Sequence, residues 1–226
     1  MKTVVITGAS RGIGLASAKE FLKNNWRVIG TYNQTLVPIN DTQFTALKLN
    51  LSSPDEISRV TKEIGIIASE IDVLVNNAGI IMDNKTDSID IRMIRETLEV
   101  NVFGLIDFTQ QILPFITKKG GHIINIDSEY GSFSYPIDDE TSTGYRLSKA
   151  ALNMYTRILA FHLLGKGIQV SSLDPGWVET DMGNAVADES GGPDRKPEQP
   201  AKEIFELATT ISESGRFWRF GKIRQW

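Results

Sequence analysis

The chain has 226 residues, 41% of them hydrophobic, which suits one α/β domain with a sizeable core (residues 1–226). It has no cysteine, so disulfides, thiolate metal sites and cysteine nucleophiles are excluded, and no metal site of any kind is expected. A formal net charge of −4 with no basic patch argues against nucleic acid as the main partner. In chain order, the apolar pattern predicts a strand at residues 2–6, a helix at 12–24, strands at 27–31 and 44–49, and a helix at 54–69. Then come a strand at 73–76, helices at 91–98 and 102–117, and a strand at 122–126. A helix at 143–164, a strand at 169–173, a helix at 200–212 and a last strand at 217–220 follow. Alternating elements of this kind imply a doubly wound parallel β-sheet of the Rossmann type, with about seven strands and helices on both faces. Residues 181–200 have loop composition and read either as a lid or as a solvated connector. Met1 leads straight into a core strand, leaving no room for a signal peptide, and no apolar run is long enough for a bilayer. A cytoplasmic protein with no membrane partner is expected.

The densest signal is Thr7-Gly8-Ala9-Ser10-Arg11-Gly12-Ile13-Gly14, directly after the run Val4-Val5-Ile6. Gly8 allows the turn, Gly12 a close backbone approach to a ligand, and Gly14 close packing of helix on strand. The free N–H groups and positive dipole end of the following helix would face a pyrophosphate. A glycine triplet alone is weak; its position between a strand and a helix makes a dinucleotide the expected ligand.

Tyr145 and Lys149 are four apart on a predicted helix and share a face. An ammonium there would favour the phenolate and lower the tyrosine pKa, suiting it to exchange a proton with a substrate oxygen. An exposed helical pair is the plain alternative, since the spacing also arises by chance. Ser128 stands at the C-terminal end of the strand at 122–126, where its hydroxyl would hydrogen-bond a carbonyl oxygen. His122 lies at that strand's other end and His162 among apolar residues, so both read as structural. Asn76-Asn77-Ala78-Gly79 closes the fourth strand; the turn-stabilising reading is fair for Asn77 and weaker for Asn76. Asn101 is a polar residue in an apolar helical stretch and is expected to bond something.

Taken in order, the Thr7–Gly14 string, Asn76–Gly79, Asn101, Ser128, Tyr145 with Lys149, and Asp174-Pro175-Gly176-Trp177-Val178-Glu179-Thr180 resemble the single-domain short-chain dehydrogenase/reductases. The tail Ser214-Gly215-Arg216-Phe217-Trp218 resembles that family's last strand, so nearly the whole chain is covered. The texture is most similar to the small carbonyl-reductase-like branch, which includes the bacterial C-signal proteins. The resemblance implies an oxidoreductase acting on a small carbonyl or alcohol. Tyr145 would be the general acid or base, Lys149 would lower its pKa and hold the nicotinamide ribose, and Ser128 would orient the substrate oxygen. Asn101 would position a water that relays protons to Lys149. Pro175, Gly176, Val178 and Thr180 would shape the nicotinamide pocket. Asn76, Ala78 and Gly79 would line the cofactor cleft, with Gly8, Ser10, Arg11, Gly12, Ile13 and Gly14 at the phosphates. Asn33, Asn50 and Leu51 complete the implied cofactor set, Asn50 standing where the family often has an aspartate near the adenine. The family pairs subunits through helices matching 102–117 and 143–164. Phe108, Ile112, Phe115, Tyr155 and Leu159 would then offer an outer face for a homo-oligomer, although such spacing more often marks core. The spacing from Ser128 to Tyr145 is wide, and the extra acidic residues Asp138, Asp139 and Glu140 read as a solvated loop or a substrate gate.

NAD binding calls for an acid at the second strand's end, yet residues 30–33 have none. Arg11 offers a guanidinium suited to a 2′-phosphate. NADP(H) is therefore preferred, with NAD(H) kept open. The alternative class is a dinucleotide-binding signalling or regulatory protein with little turnover. The intact set Asn101, Ser128, Tyr145 and Lys149 favours the enzyme.

Overall fold

The structure is a computed structural model that describes residues 1–84, 89–137, 141–187, 189, 191–210 and 213–226. Eight strands form one sheet in the order β3-β2-β1-β4-β5-β6-β7-β8. They are β1 (Thr3–Ile6), β2 (Arg27–Tyr32), β3 (Phe44–Lys48), β4 (Val73–Asn76), β5 (Gly121–Ile126), β6 (Ile168–Asp174), β7 (Arg216–Arg219) and β8 (Lys222–Arg224). All neighbours are parallel except β7 and β8. The chain starts at β1, winds outward to β3, then returns past β1 to begin β4. The strand order therefore reverses between β1 and β4, and a doubly wound sheet opens its ligand crevice at that point.

Strand alternation sorts the core into two layers. Val5, Ile29, Leu74, Ile123 and Val170 face α2 (Pro54–Ile67), α4 (Leu105–Ile112) and α5 (Thr143–His162), packing with Ile57, Ile64, Phe108 and Leu159. Val4, Ile6, Val28, Val75 and Ile124 face α1 (Gly12–Lys23) and α7 (Glu198–Thr210), packing with Phe21, Ile204 and Leu207. Both faces of the strands are buried, which is why they read as continuous apolar runs rather than alternating ones. α2 begins where Ser53 accepts from Glu56 N at 3.3 Å and Pro54 takes the first turn.

Four sequence expectations change. The short strand β8 was not foreseen: two of its three residues are charged. Its hairpin turns on Phe220 and Gly221, both at positive φ, without the usual Asn-Gly signal. The helices expected at 91–98 and 102–117 are α3 (Ile91–Leu98) and α4 (Leu105–Ile112), joined without a break by a π turn at Glu99–Gly104. Pro114 then tightens the end into a 3-10 turn. Residues 181–200 are not all loop: α6 (Asp181–Ala185) lies there, capped by Thr180 Oγ1, which accepts from Gly183 N at 3.0 Å. α7 begins at Glu198 rather than residue 200. The acidic residues 138–140 and the predicted helix end at 211–212 lie outside the described residues.

The expected outer face also changes. Phe108, Ile112 and Leu159 are buried, and Phe115 and Tyr155 pack partly against them. Phe103, Leu147, Met154, Ile158 and Phe161 are the apolar residues that α5 and the π turn expose instead. No helix among the described residues is long and apolar enough to cross a membrane.

Phe21 seats α1 behind the glycine loop. It is fully buried and meets Trp26 and Phe205 edge-on, each at 5.1 Å between ring centroids. Phe21→Ala is expected to cost about 3–5 kcal/mol. In urea unfolding this reads as a lower midpoint at an unchanged slope.

Candidate active site

The glycine loop is held by backbone and hydroxyl bonds before any ligand enters. Ala9 N donates to Thr31 O (2.7 Å), and Gly8 N to Thr31 Oγ1 (3.3 Å). Thr7 Oγ1 accepts from both Asn77 N and Ala78 N at 3.0 Å. Asn77 Nδ2 donates back to Thr7 O (2.9 Å) and Gly8 O (3.1 Å). These bonds tie the ends of β1 and β4 together at the crevice. Gly8 and Gly12 stand at positive φ, and a Cβ on Gly14 would fall 2.1 Å from Gly8 O. Gly14 therefore serves helix packing, as its spacing implied.

Beyond the loop, α1 starts with no side-chain cap and no acidic residue in its first turn. Its N–H groups open onto a cavity of about 840 Å³ running along the C-terminal ends of the strands. An uncapped helix start of this kind is suited to an anion. Gly8, Ser10, Arg11, Gly12, Ile13, Asn33, Asn50, Leu51, Ala78 and Gly79 all line this cavity. So do Ser128, Tyr145, Lys149, Pro175, Gly176, Val178 and Thr180. The structure thus brings together the glycine loop, the Ser-Tyr-Lys set and the Pro-Gly segment, which lie far apart in sequence.

Three expected residues are not at the cavity wall: Gly14, which packs against the loop behind it, and Asn76 and Asn101. Asn76 is the last residue of β4 and is buried on the side facing α4. Its Nδ2 donates to Thr109 Oγ1 (2.9 Å) and Asn125 Oδ1 (2.8 Å), so strand alternation makes it a core tie and turns Asn77 toward the cleft. Asn77, not Asn76, stands at the cavity wall, and its amide holds the loop as the turn-stabilising reading expected. Asn101 sits buried in the π turn. Its Oδ1 accepts from Ile80 N (2.8 Å), and its Nδ2 donates to Ile80 O (2.9 Å) and Ser148 Oγ (3.0 Å). Ser148 Oγ in turn bonds Tyr145 O at 2.7 Å. Asn101 is therefore a clamp between the loop after β4 and the helix of Tyr145, with both side-chain N–H groups engaged within the protein.

Around the reacting groups, Ser128 shares a side-chain hydrogen bond with the Tyr145 hydroxyl. Lys149 Nζ donates to Ile126 O (2.8 Å) and lies 5.4 Å from the Tyr145 ring centroid. Here the structure departs from expectation. Burial pushes the Tyr145 hydroxyl above the ordinary tyrosine range, and the carboxylates of Asp127 and Asp174 push it further. The direction is opposite to the lowering expected beside Lys149. Burial also lowers Lys149, which Asp127 and Asp174 oppose. Asp127 and Asp174, at the ends of β5 and β6, are themselves raised by burial, Asp127 to about 7. Sequence reading missed both as site residues; the signal was their position, each at the carboxyl end of a central strand.

A network of ions supports this floor. Arg224 Nη1 bonds Asp174 Oδ2 (2.8 Å), Arg219 pairs with Glu129, and Asp174 Oδ1 accepts from Gly176 N (2.9 Å). The far wall is Ile81, Tyr130, Tyr135, Trp177, Met182 and Val186. Trp177 Nε1 donates to Gly183 O (2.9 Å), fixing α6 beside the cavity, and Arg195 ties the following segment to Pro175 O and Glu203. Residues 188 and 190 of the 181–200 segment lie outside the described residues. At the rim, Arg11 forms an ion pair with Asp181 (3.0 Å), both side chains more than 70% exposed. His122 is buried against Ser171 Oγ (2.9 Å), and burial lowers its pKa to about 4, as befits a structural histidine.

The sequence model of the family described as short chain dehydrogenase matches residues 2–191. The chain is 31% identical over 194 residues to the 3-oxoacyl-[acyl-carrier-protein] reductase FabG of Vibrio cholerae, covering 83% of this chain and 78% of that one. Among solved structures it resembles an NADPH-bound carbonyl reductase from chicken fatty liver, with a TM-score of 0.86, 28% identity, and coverage of 100% and 99% of the two chains. It also resembles a short chain dehydrogenase from Burkholderia cenocepacia in complex with NADP, with a TM-score of 0.83, 26% identity, and coverage of 96% and 95%. With the ordered motifs, the doubly wound sheet and the match over most of its length, the chain belongs to the short chain dehydrogenase family.

Proposed function

We propose that this chain is a single-domain, NADP(H)-dependent oxidoreductase that interconverts a carbonyl and an alcohol, with Tyr145 as general acid and base. The observation that carries the reading is the hydrogen-bonded Ser128–Tyr145 pair beside buried Lys149, in the same cavity as the uncapped start of α1. The positive-φ glycines and open N–H groups fit a pyrophosphate, and NADP-bound relatives of the same fold support a nicotinamide dinucleotide. When bound, that group supplies the hydride. Ser128 orients the substrate oxygen by a hydrogen bond, and Tyr145 delivers its hydroxyl proton to that oxygen in reduction or removes it in oxidation. Lys149 holds positive charge beside the phenolate left behind. Glycine-loop N–H groups, Ala78 and Gly79 bind, and Pro175, Val178 and Thr180 shape the ring end of the cleft. The apolar wall of Ile81, Tyr130, Trp177, Met182 and Val186 supports a small carbonyl substrate with an apolar body. We further propose a cytoplasmic setting and a homo-oligomer built on the exposed Leu147–Met154–Ile158–Phe161 face of α5, which sedimentation reads directly.

Preference for NADP(H) over NAD(H) rests on Arg11 and on a β2 end without an acid: Tyr32, Asn33, Gln34 and Thr35 line the cavity there. The exposed Arg11–Asp181 pair is worth about 1 kcal/mol or less, so a 2′-phosphate can displace it.

Tyr145→Phe is expected to bind NADPH as the wild type does and to lose turnover by about 10²-fold or more. The assay is a carbonyl-compound screen followed by NADPH oxidation, and a fully active variant defeats the mechanism. Arg11→Ala is expected to weaken NADPH binding about tenfold and leave NADH binding unchanged, as measured by titration of cofactor fluorescence. Equal NADH and NADPH affinities in the wild type defeat the cofactor preference.

A further inference from the structure

The helix that carries Tyr145 is not capped by its own N-cap residue. Ser142, at that position of α5, stands at positive φ, and its side chain makes no capping bond. The first turn contains no acidic residue. An N-cap side chain ordinarily accepts from the second or third helical N–H, and in α5 those belong to Gly144 and Tyr145. The acceptor comes instead from Asp83, 61 residues before Gly144, in the loop after β4. Asp83 Oδ2 accepts from Gly144 N (2.5 Å), and Asp83 O accepts from Ser142 N (3.0 Å). Asp83, Ser142 and Gly144 are all buried. Asp83 thus holds the turn of Tyr145 from its N-terminal side, while Ser148 Oγ holds Tyr145 O from the other. Lys149 is fixed by different means. Its Nζ donates to Ile126 O, and a Cβ on Gly131 would fall 2.5 Å from its carbonyl carbon, so the segment after Ser128 lies directly on the α5 backbone there.

We propose that Asp83 is a positioning residue that caps α5 from outside the helix and so sets the place of Tyr145 beside Ser128. The inference rests on Tyr145 being the proton-transfer residue. Asp83 is not among the residues lining the cavity, so it acts through the helix rather than on substrate or cofactor. Without its carboxylate, Gly144 N is a buried donor with its acceptor removed, and the first turn opens to find another. Tyr145 belongs to that turn and moves with it, whereas Lys149, one turn further on, keeps its hold on the end of β5. Proton transfer needs the hydroxyl within hydrogen-bond reach of the substrate oxygen, so a small displacement is felt in turnover. The effect falls equally on reduction and oxidation, since both pass through one transition state.

The test compares wild type, Asp83→Ala and Asp83→Asn by two readouts. The first is kcat per NADPH-binding site, with the substrate found by the carbonyl screen and the sites counted by titration of cofactor fluorescence. Asp83→Ala is expected to lower it about 10- to 100-fold at an unchanged NADPH Kd. Asp83→Asn keeps an acceptor oxygen for Gly144 N and is expected to stay within about threefold of wild type, since asparagine caps about as well as aspartate. The second readout is amide hydrogen exchange across residues 142–149, followed by mass spectrometry, which needs no turnover. Exchange there is expected to run about tenfold faster in Asp83→Ala. Asp83→Ser, whose hydroxyl stops one bond short of Gly144 N, replaces the alanine variant should that protein not fold. A merely structural Asp83 lowers the thermal midpoint and the number of binding sites but leaves kcat per site as it was. A wild-type kcat per site, unchanged exchange across 142–149, or an asparagine variant no better than alanine overturns the proposal. Tyr145→Phe assayed alongside separates the two failures. An active Tyr145→Phe protein defeats the role of Tyr145, whereas an inactive one beside a fully active Asp83→Ala defeats the role of Asp83.

Discussion

The constraint on which the site depends is the burial of the Lys149 ammonium. A charged amine out of water is costly unless paired and hydrogen-bonded, and burial lowers Lys149 accordingly. Its hydrogen-bond partner is the Ile126 carbonyl at 2.8 Å, and the charges of Asp127 and Asp174 favour its protonated form. Those carboxylates are buried too, and each needs its own donors: Ser128 N and Ser172 Oγ for one, Gly176 N and Arg224 for the other. The ends of β5 and β6 and the β7–β8 hairpin thus gather several hydrogen-bonded charges around one buried amine. Tyr145 stands against that group, and its acidity is set by the whole of it rather than by one neighbour.

Around this floor, uncharged side chains fix the walls. Asn101 joins the loop after β4 to α5, and Asn77 joins the same region to the glycine loop. A π turn at Glu99–Gly104 is what turns Asn101 inward, and Gly104 is required there because a Cβ would fall 1.9 Å from Leu51 O. Leu51 lines the cavity, so the wall by the cofactor cleft and the clamp on the catalytic helix share one tight contact. Trp177 and Arg195 do the same for the opposite wall by holding α6 and the segment beyond it. A site built in this way has little freedom in its backbone, as alignment of a proton donor with a substrate oxygen demands.

Much of this was legible in the sequence, for reasons specific to the elements. Strands buried on both faces leave unbroken apolar runs, so β1 to β7 were predicted close to their observed places. The glycine loop announces itself because close approach admits no side chain, and the order of the later motifs identified the family. Legibility failed where local pattern carries no information. β8 is three residues with two charges, the π turn hides inside a helical period, and α6 lies in a stretch of loop composition.

The sequence by itself determined the sheet, the dinucleotide motif and the residue types able to move a proton, because each follows from local periodicity or from a short string with one physical use. Only the tertiary structure decided which of Asn76 and Asn77 reaches the cleft, that Asn101 is a clamp, that Arg11 meets Asp181, and that Tyr145 is raised rather than lowered. Those outcomes depend on strand register and on charges brought together from β5, β6 and α5. Electrostatic energy in a buried site is set by distance and solvent exclusion, and neither can be read along the chain.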